Sequence, residues 1–337
     1  MLGVSFGTGQ GMTLLDVFRA RKRIAPFVRR TPLVESAWLS DASGARVWMK
    51  LESLQTANSF KSRGAFNAVI ARLERGADAA TELVTASAGN HGRALAAAAD
   101  AFKLPLVVFT PTDAPQTKLG AIRRHGADLR AVGRDYDDAE RLALAYARET
   151  GAEFISPYND RDVIAGAATI ALEVFEDAPD VDLFVVPVGG AGLISGIASV
   201  AKAIDRSCRV IGVEVEASCA FQTSLLAGRL VEIVPGPTLA DGLGGNPDPN
   251  SITWPFVQQL VDRIVTVSER DLRAALVGLV ESEHLVAEGA GAAAIASLLG
   301  GDDEFRGRRA AAIVTGSNID RERLAPLLSE SRVTASP

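Results

Sequence analysis

Short β-branched and apolar runs recur along this chain, and between them lie alanine- and leucine-rich stretches with helical spacing. The runs fall at residues 46–51, 82–85, 106–110, 128–132, 153–156, 183–188, 210–215, 263–267 and 311–314. The helical stretches include 94–102, 138–149, 165–175 and 272–285. Strand–helix alternation leaves few solutions: parallel sheets, buried on both faces by helices, in an α/β fold. With 337 residues the chain is long enough for two such units. In open parallel sheets, ligands bind at the carboxyl ends of strands, in the loops that open the next helix. Three unusual loops occupy that position: "VTASAGNHG" after Thr85, "VVPVGGAGLISG" after the run ending at Val188, and "IVTGSN" after Val314. A fourth stretch, "PGPTLADGLGGNPDP" at 235–249, has too many Gly and Pro for regular structure and reads as a long functional loop.

Composition narrows the function. A net charge of −6 gives no support to nucleic-acid or anionic-membrane binding. No apolar run is long enough for a membrane span, and the N-terminal "MLGVSFGTGQGM" lacks the regions of a signal peptide, so a cytoplasmic protein is expected. Cys208 and Cys219 fit neither a disulfide framework nor a metal spacing and read as small buried side chains. His91, His125 and His284 form no zinc pattern, and no metal is expected.

The chemistry gathers around Lys61, in "NSFKSRG". Most lysines sit in water, and this one stands out only through the loops that accompany it. Gly189, Gly190, Ala191, Gly192 and Leu193 join a buried strand to a helix, where backbone N–H groups and the helix dipole can hold a phosphate. The same residues also suit a plain tight turn. A dinucleotide reading competes, with Glu214 or Glu216 as ribose partner, but Ser195 stands where the third glycine belongs. The earlier "GTGQG" at 7–11 follows no strand and carries less weight. Ser87, Ala88, Gly89 and Asn90 form a concave set of donors at a helix start, suited to a carboxylate or a ring hydroxyl, or simply to a cap. Thr315 offers a hydroxyl at another strand end. An amine, a phosphate nest, a donor loop and a hydroxyl are the inventory of a pyridoxal 5′-phosphate site, whereas a nicotinamide enzyme has no use for the lysine.

On "RIAPFVRRTPL", "KLESLQTANSFKSRGAFNAV", "SAGNHG", "DVIAGAATIALE", "VPVGGAGLISG", "VIGVEVE", "AEGAGAAAIA" and "VTGSN", in that order, the chain resembles the fold-type II pyridoxal-phosphate enzymes. Within them it is similar to the serine/threonine dehydratase (threonine ammonia-lyase) family. The resemblance implies the tryptophan synthase β-like architecture of two open parallel-sheet αβα domains. The large domain would be 1–51 plus 153–337 and the small domain 52–152, with no C-terminal regulatory domain and a homodimeric assembly. It further implies Lys61 as the Schiff-base lysine and general base at Cα, walled by Phe60. Asn90 would contact O3′, the 189–193 loop the phosphate, and Thr315 the ring nitrogen. Ser87, Ala88, Gly89 and Asn90 would bind the substrate carboxylate, with Gly242 of the long loop close by. Glu288 resembles a carboxylate near the ring, or a helix-start cap. Arg63 reads as solvated or structural.

Several residues depart from the family pattern. Ala191 replaces a usual glycine and is expected at negative φ. Ala88 stands where serine racemases carry a hydroxyl, which disfavours racemisation. A second carboxylate expected beside Glu214 is replaced by Ala220. Ser62 and Gly92-Arg93 differ from the commonest motif forms and hint at an altered substrate. The expected reaction is loss of water from a serine- or threonine-type β-hydroxy-L-amino acid, giving a 2-oxo acid and ammonia. The alternatives are a β-replacement synthase, a 3-hydroxyaspartate or phenylserine dehydratase, a racemase, and, from other classes, a nicotinamide oxidoreductase or an inactive binding protein.

Overall fold

The computed structural model describes residues 11–330, so the "GTGQG" stretch lies almost wholly outside the described residues. Ten strands form two sheets: β1 (Leu33–Ser36), β2 (Arg46–Leu51), β3 (Leu83–Ala86), β4 (Leu106–Pro111), β5 (Asp128–Gly133), β6 (Glu153–Phe154), β7 (Leu183–Pro187), β8 (Arg209–Val215), β9 (Arg263–Val267) and β10 (Arg309–Val314). The larger sheet has the order β1-β2-β10-β7-β8-β9 and the smaller β5-β4-β3-β6. All pairings are parallel except β1 with β2, where Leu33 faces Lys50 in an antiparallel edge.

Alternation along the strands explains why both faces are covered. In β7, Leu183 and Val185 enter one apolar core while Phe184 and Val186 enter the other. β10 divides in the same way, with Ala310, Ala312 and Val314 opposite Ala311 and Ile313. A strand buried on both faces has to be apolar, and these are, apart from the exposed Arg309 that opens β10. The smaller sheet repeats the arrangement, with Leu83 and Val108 on one side and Val84 and Val107 on the other.

Two expectations about the chain's division need correction. Glu153–Phe154, assigned from sequence to the large domain, pair with Leu83–Val84 and extend the smaller sheet. Ile24, near the N-terminus, is buried in the core of that smaller sheet, alongside Ala65, Val69 and Leu95. Among the described residues no helix is long and apolar enough to cross a membrane. Cys208 is buried, but Cys219 is only partly so; both thiols are free.

Candidate active site

The segment before Lys61 is fastened to the loop after β10. Phe60 N–H donates to Thr315 O at 3.0 Å, and Ser317 N–H donates to Asn58 O at 3.0 Å. Ala57 and Asn58 take left-handed conformations (φ 57° and 58°), which turn the chain sharply before the helix Lys61–Glu74 begins. The hydroxyl of Ser62 donates to Thr56 O and closes that turn, so this departure from the common motif has a local structural role. Lys61 therefore opens a helix while its neighbours are tied to a strand end across the sheet.

Its amine donates to Pro157 O at 2.8 Å and lies 5.0 Å from the centre of the Phe60 ring. Protein surrounds the head group closely, leaving it open only toward a cavity. Burial lowers its pKa to about 8, with Glu288 opposing the shift. A substantial fraction of neutral, nucleophilic amine is thereby present at mildly alkaline pH. His91, next to Asn90 in sequence, is held neutral: burial and then the Lys61 charge draw its pKa down to about 3. Its Nε2 lies 3.2 Å from Ile155 O.

The cavity measures about 530 Å³ and is lined by Phe60, Lys61, Ser87, Ala88, Gly89, Asn90, Gly189, Gly190, Ala191, Gly192, Leu193, Gly242 and Thr315. Every site residue expected from sequence reaches this one cavity. The glycine loop runs from the end of β7 into the helix Gly192–Ile204. The first intrahelical bond joins Ser195 N to Ala191 O (3.0 Å), so the N–H groups of 192–194 precede the ladder. A Cβ at Gly190 would stand 2.2 Å from Cγ of Tyr158, which makes glycine obligatory there. Ala191 overturns the expected negative φ: it caps the helix in the left-handed region at φ 62°. The turn from strand to helix demands that conformation, and alanine adopts it at a cost of about 1–2 kcal/mol.

At the opposite wall, the helix Asn90–Phe102 starts directly after Gly89. Gly92 packs so tightly that a Cβ would lie 2.2 Å from Ser87 O, which accounts for its departure from the commoner motif. Ser87 Oγ accepts from Gly89 N at 3.2 Å. Asn90 Nδ2 donates to Glu288 Oε1 at 2.5 Å, and Asn90 Oδ1 accepts from Asn318 Nδ2 at 2.6 Å. Glu288 is the N-cap of the helix Gly289–Leu299, its carbonyl accepting from Ala292 N at 3.0 Å, but its side chain makes no cap bond. Its carboxyl instead faces the cavity, where burial pushes its pKa up to about 7. The Thr315 hydroxyl bonds to no described residue and remains available to a ligand.

Two contributors, Tyr158 and Asn318, escaped the sequence reading. Tyr158 shapes the glycine loop, and its hydroxyl accepts from Asp248 N at 2.9 Å, pinning the 235–249 loop. Its position just after β6, where the chain enters the next helix, is the signal that was available. Asn318, visible in "VTGSN", links Asn90 to Ala57 O (3.0 Å). Arg63, read as solvated or structural, is the latter, with 1% exposure. Its guanidinium bonds Glu52 and Glu173, and Glu173 also meets Lys50 at 2.6 Å. Glu214 is 2% exposed and accepts from Phe221 N (2.9 Å) and Gln222 N (2.8 Å), capping the helix Ala220–Ala227. Burial pushes its pKa up to about 7.

A lysine with depressed pKa, a glycine nest beside a helix start, and a polar wall of Asn90 and Glu288 fit pyridoxal phosphate. Two open α/β units sharing such a cavity define a fold-type II pyridoxal-phosphate enzyme. Comparison with known proteins agrees: residues 24–316 match the family described as pyridoxal-phosphate dependent enzyme, and the chain belongs to it. Within that family it stands with the serine/threonine dehydratases. L-threonine ammonia-lyase of Thermotoga maritima is 38% identical over 322 residues, covering 96% of this chain and 79% of that protein. L-threo-3-hydroxyaspartate ammonia-lyase of a Pseudomonas species is 36% identical over 313 residues, covering 93% and 97%. Maize serine racemase superposes with a TM-score of 0.86 at 31% identity, covering 94% of this chain and 97% of that one.

Proposed function

We propose that this protein is an ammonia-lyase that removes water from a β-hydroxy-L-amino acid and releases a 2-oxo acid and ammonia. The observation that carries this reading is the meeting, in one cavity, of the Lys61 amine, the 189–193 loop and the Ser87–Asn90 loop. Pyridoxal phosphate, when bound, supplies an electron sink conjugated to the substrate nitrogen. Lys61 would hold it through its amine, Phe60 would wall one side, and the N–H groups of Gly189, Gly190, Ala191, Gly192 and Leu193 would hold its phosphate. Asn90 would meet the ring hydroxyl and Thr315 the ring nitrogen.

The chain's own residues then divide the work. Ser87, Ala88, Gly89 and Asn90 present the start of a helix to the substrate carboxylate, with Gly242 close by. Lys61, once its amine is free, takes the proton from Cα. The electron pair left behind expels hydroxide from Cβ, which leaves as water once protonated. The released enamine takes up water and yields the 2-oxo acid and ammonia. Thr315 is neutral, so it leaves the ring nitrogen without the counter-charge a carboxylate would give, which favours prompt loss of the β-substituent. Ala88 carries no hydroxyl to return a proton from the face opposite Lys61, which argues against racemisation.

We also infer a cytoplasmic homodimer. The base rate for symmetric oligomers supports it, as do exposed apolar side chains such as Leu226 (86%) and Val234 (96%). The decisive experiment measures 2-oxo acid release from L-serine, L-threonine and their D-enantiomers by the cofactor-loaded protein and by Lys61→Ala. Release from L-substrates alone, with both turnover and the visible absorption band lost in K61A, is the expected result. Turnover that needs an added nucleophile, or a K61A protein that keeps band and activity, would overturn the reading.

A further inference from the structure

Arg93 lines the same cavity as Lys61, one helical turn beyond Asn90 and on the same face of the helix Asn90–Phe102. A guanidinium presents five N–H donors and is strongly charged. Here its hydrogen bonding to described residues amounts to a single partner, the amide oxygen Oδ1 of Asn318, and no described carboxylate lies within ion-pair distance. The other buried arginines are treated differently. Arg63 is clasped by Glu52 and Glu173, and Arg72 by Glu153 at 2.5 Å. Burial presses the Arg93 pKa down, nearby Arg124 presses it further, and Glu288 and Asp320 oppose the shift from a distance.

The neighbouring charges are already spoken for. Lys118, also on the cavity wall, pairs with Asp241 at 2.6 Å. Asp241 in turn meets Arg323 at 3.1 Å, and Glu288 is engaged by Asn90. Arg93 is therefore a cation facing the site with donors in reserve and no anion of its own. A half-buried charge in that state is stabilised most by a ligand that brings the missing anion.

We propose that Arg93 recognises a carboxylate on the substrate's side chain, so that the preferred substrate is a β-hydroxy amino acid with a second negative charge. This rests on the elimination reading above and deepens it. Arg93 replaces the usual residue of the motif at a position where serine and threonine, whose side chains are neutral, need no cation.

The test compares kcat/KM of the holoenzyme for L-threo-3-hydroxyaspartate and L-threonine in wild type, Arg93→Gln and Arg93→Lys. A charge-assisted contact predicts a wild-type preference for the dicarboxylate of about 10- to 100-fold. R93Q, which keeps a donor for Asn318, should collapse that ratio, and R93K should restore part of it. Equal losses on both substrates in R93Q would assign Arg93 to holding Asn318, and a wild type that prefers threonine would have the same consequence; either overturns the proposal. Failure to release a 2-oxo acid from any β-hydroxy amino acid would overturn the elimination reading instead. In that event calorimetric titration with L-aspartate and L-alanine, neither of which has a β-hydroxyl, still decides Arg93. Aspartate should bind wild type about tenfold more tightly than alanine, and R93Q should lose that advantage. Equal affinities in wild type would overturn the proposal.

Discussion

Arg63→Leu removes the cation at the centre of a buried cluster, and the structure sets the size of the effect. Arg63 Nε and Nη2 donate to Glu52 at 2.8 Å each, while Nη1 and Nη2 donate to Glu173 at 2.6 and 2.8 Å. Lys50 supplies the second positive charge, so two cations balance two carboxylates and the cluster is neutral. Burial works against the Arg63 charge, but the two carboxylates together hold its pKa up. Without Arg63 the cluster carries an excess negative charge, and Glu52 keeps as its partner the Thr31 hydroxyl at 2.5 Å. Breaking a buried pair from one side costs about 3–5 kcal/mol, a large part of the roughly 5–15 kcal/mol that folded proteins possess. Arg63→Met combined with Glu52→Gln keeps Lys50 with Glu173 and should recover much of that loss. The loss must also depend on pH. Burial works against the Glu173 carboxylate, but Arg63 and Lys50 hold its folded-state pKa below the unfolded value of about 4.3. That carboxylate adds stability above the unfolded value and loses it as pH falls through the folded one, and removing Arg63 takes away part of this contribution. The R63L deficit should therefore be largest near pH 8 and shrink toward about pH 4. Urea unfolding of each variant at both pH values measures it. A deficit under about 1 kcal/mol, or one that is the same at both pH values, would refute this reasoning about uncompensated charge.

Two further outcomes follow from the cavity wall. Gly190→Ala drives a methyl into the Tyr158 ring, costs about 1–3 kcal/mol and weakens cofactor binding at least tenfold; a thermal-shift titration with pyridoxal phosphate reads both, and wild-type affinity would contradict the close approach. Capture of pyridoxal phosphate by the apoprotein requires the neutral Lys61 amine, so its rate should rise with pH and level off above a midpoint of about 8. Stopped-flow absorbance follows it, and a rate still climbing toward the ordinary lysine value of 10.5 would show that Lys61 is solvated.

Strands carrying apolar or β-branched runs announced themselves, and the short, mostly exposed β1 did not. The runs at 46–51 and 263–267 match β2 and β9 to the residue, because each is mostly apolar or β-branched. β1 went unseen: only Ser36 of its four residues is buried, so "LVES" carries no apolar run. Helix starts were placed late, as at 138 instead of Tyr136 and at 165 instead of Arg161. Their first turns are polar and are announced only by the capping carboxylates Asp135 and Asp160. In the site, the residues that were legible have chemistry written in their own loop. Those that were missed depend on distant partners. Glu173 lies 110 residues from Arg63 and Asn318 lies 228 from Asn90, separations that no local pattern encodes. The conformation of Ala191 was misread because the strand–helix turn, not the residue's preference, sets its φ.

The placement of β10 between β2 and β7 has a consequence for how the chain is born. As the ribosome delivers it, β2 emerges early, β7 much later, and the strand that must lie between them comes last of the ten. At about 5–20 residues per second, β2 waits on the order of tens of seconds for its central neighbour. Throughout that time the larger sheet has an unfilled slot edged by apolar strands, a template open to other chains. The smaller sheet, whose strands all arrive between residues 83 and 154, has no such wait. Half-made molecules of this protein are therefore expected to be clients of chaperones that shield sheet edges.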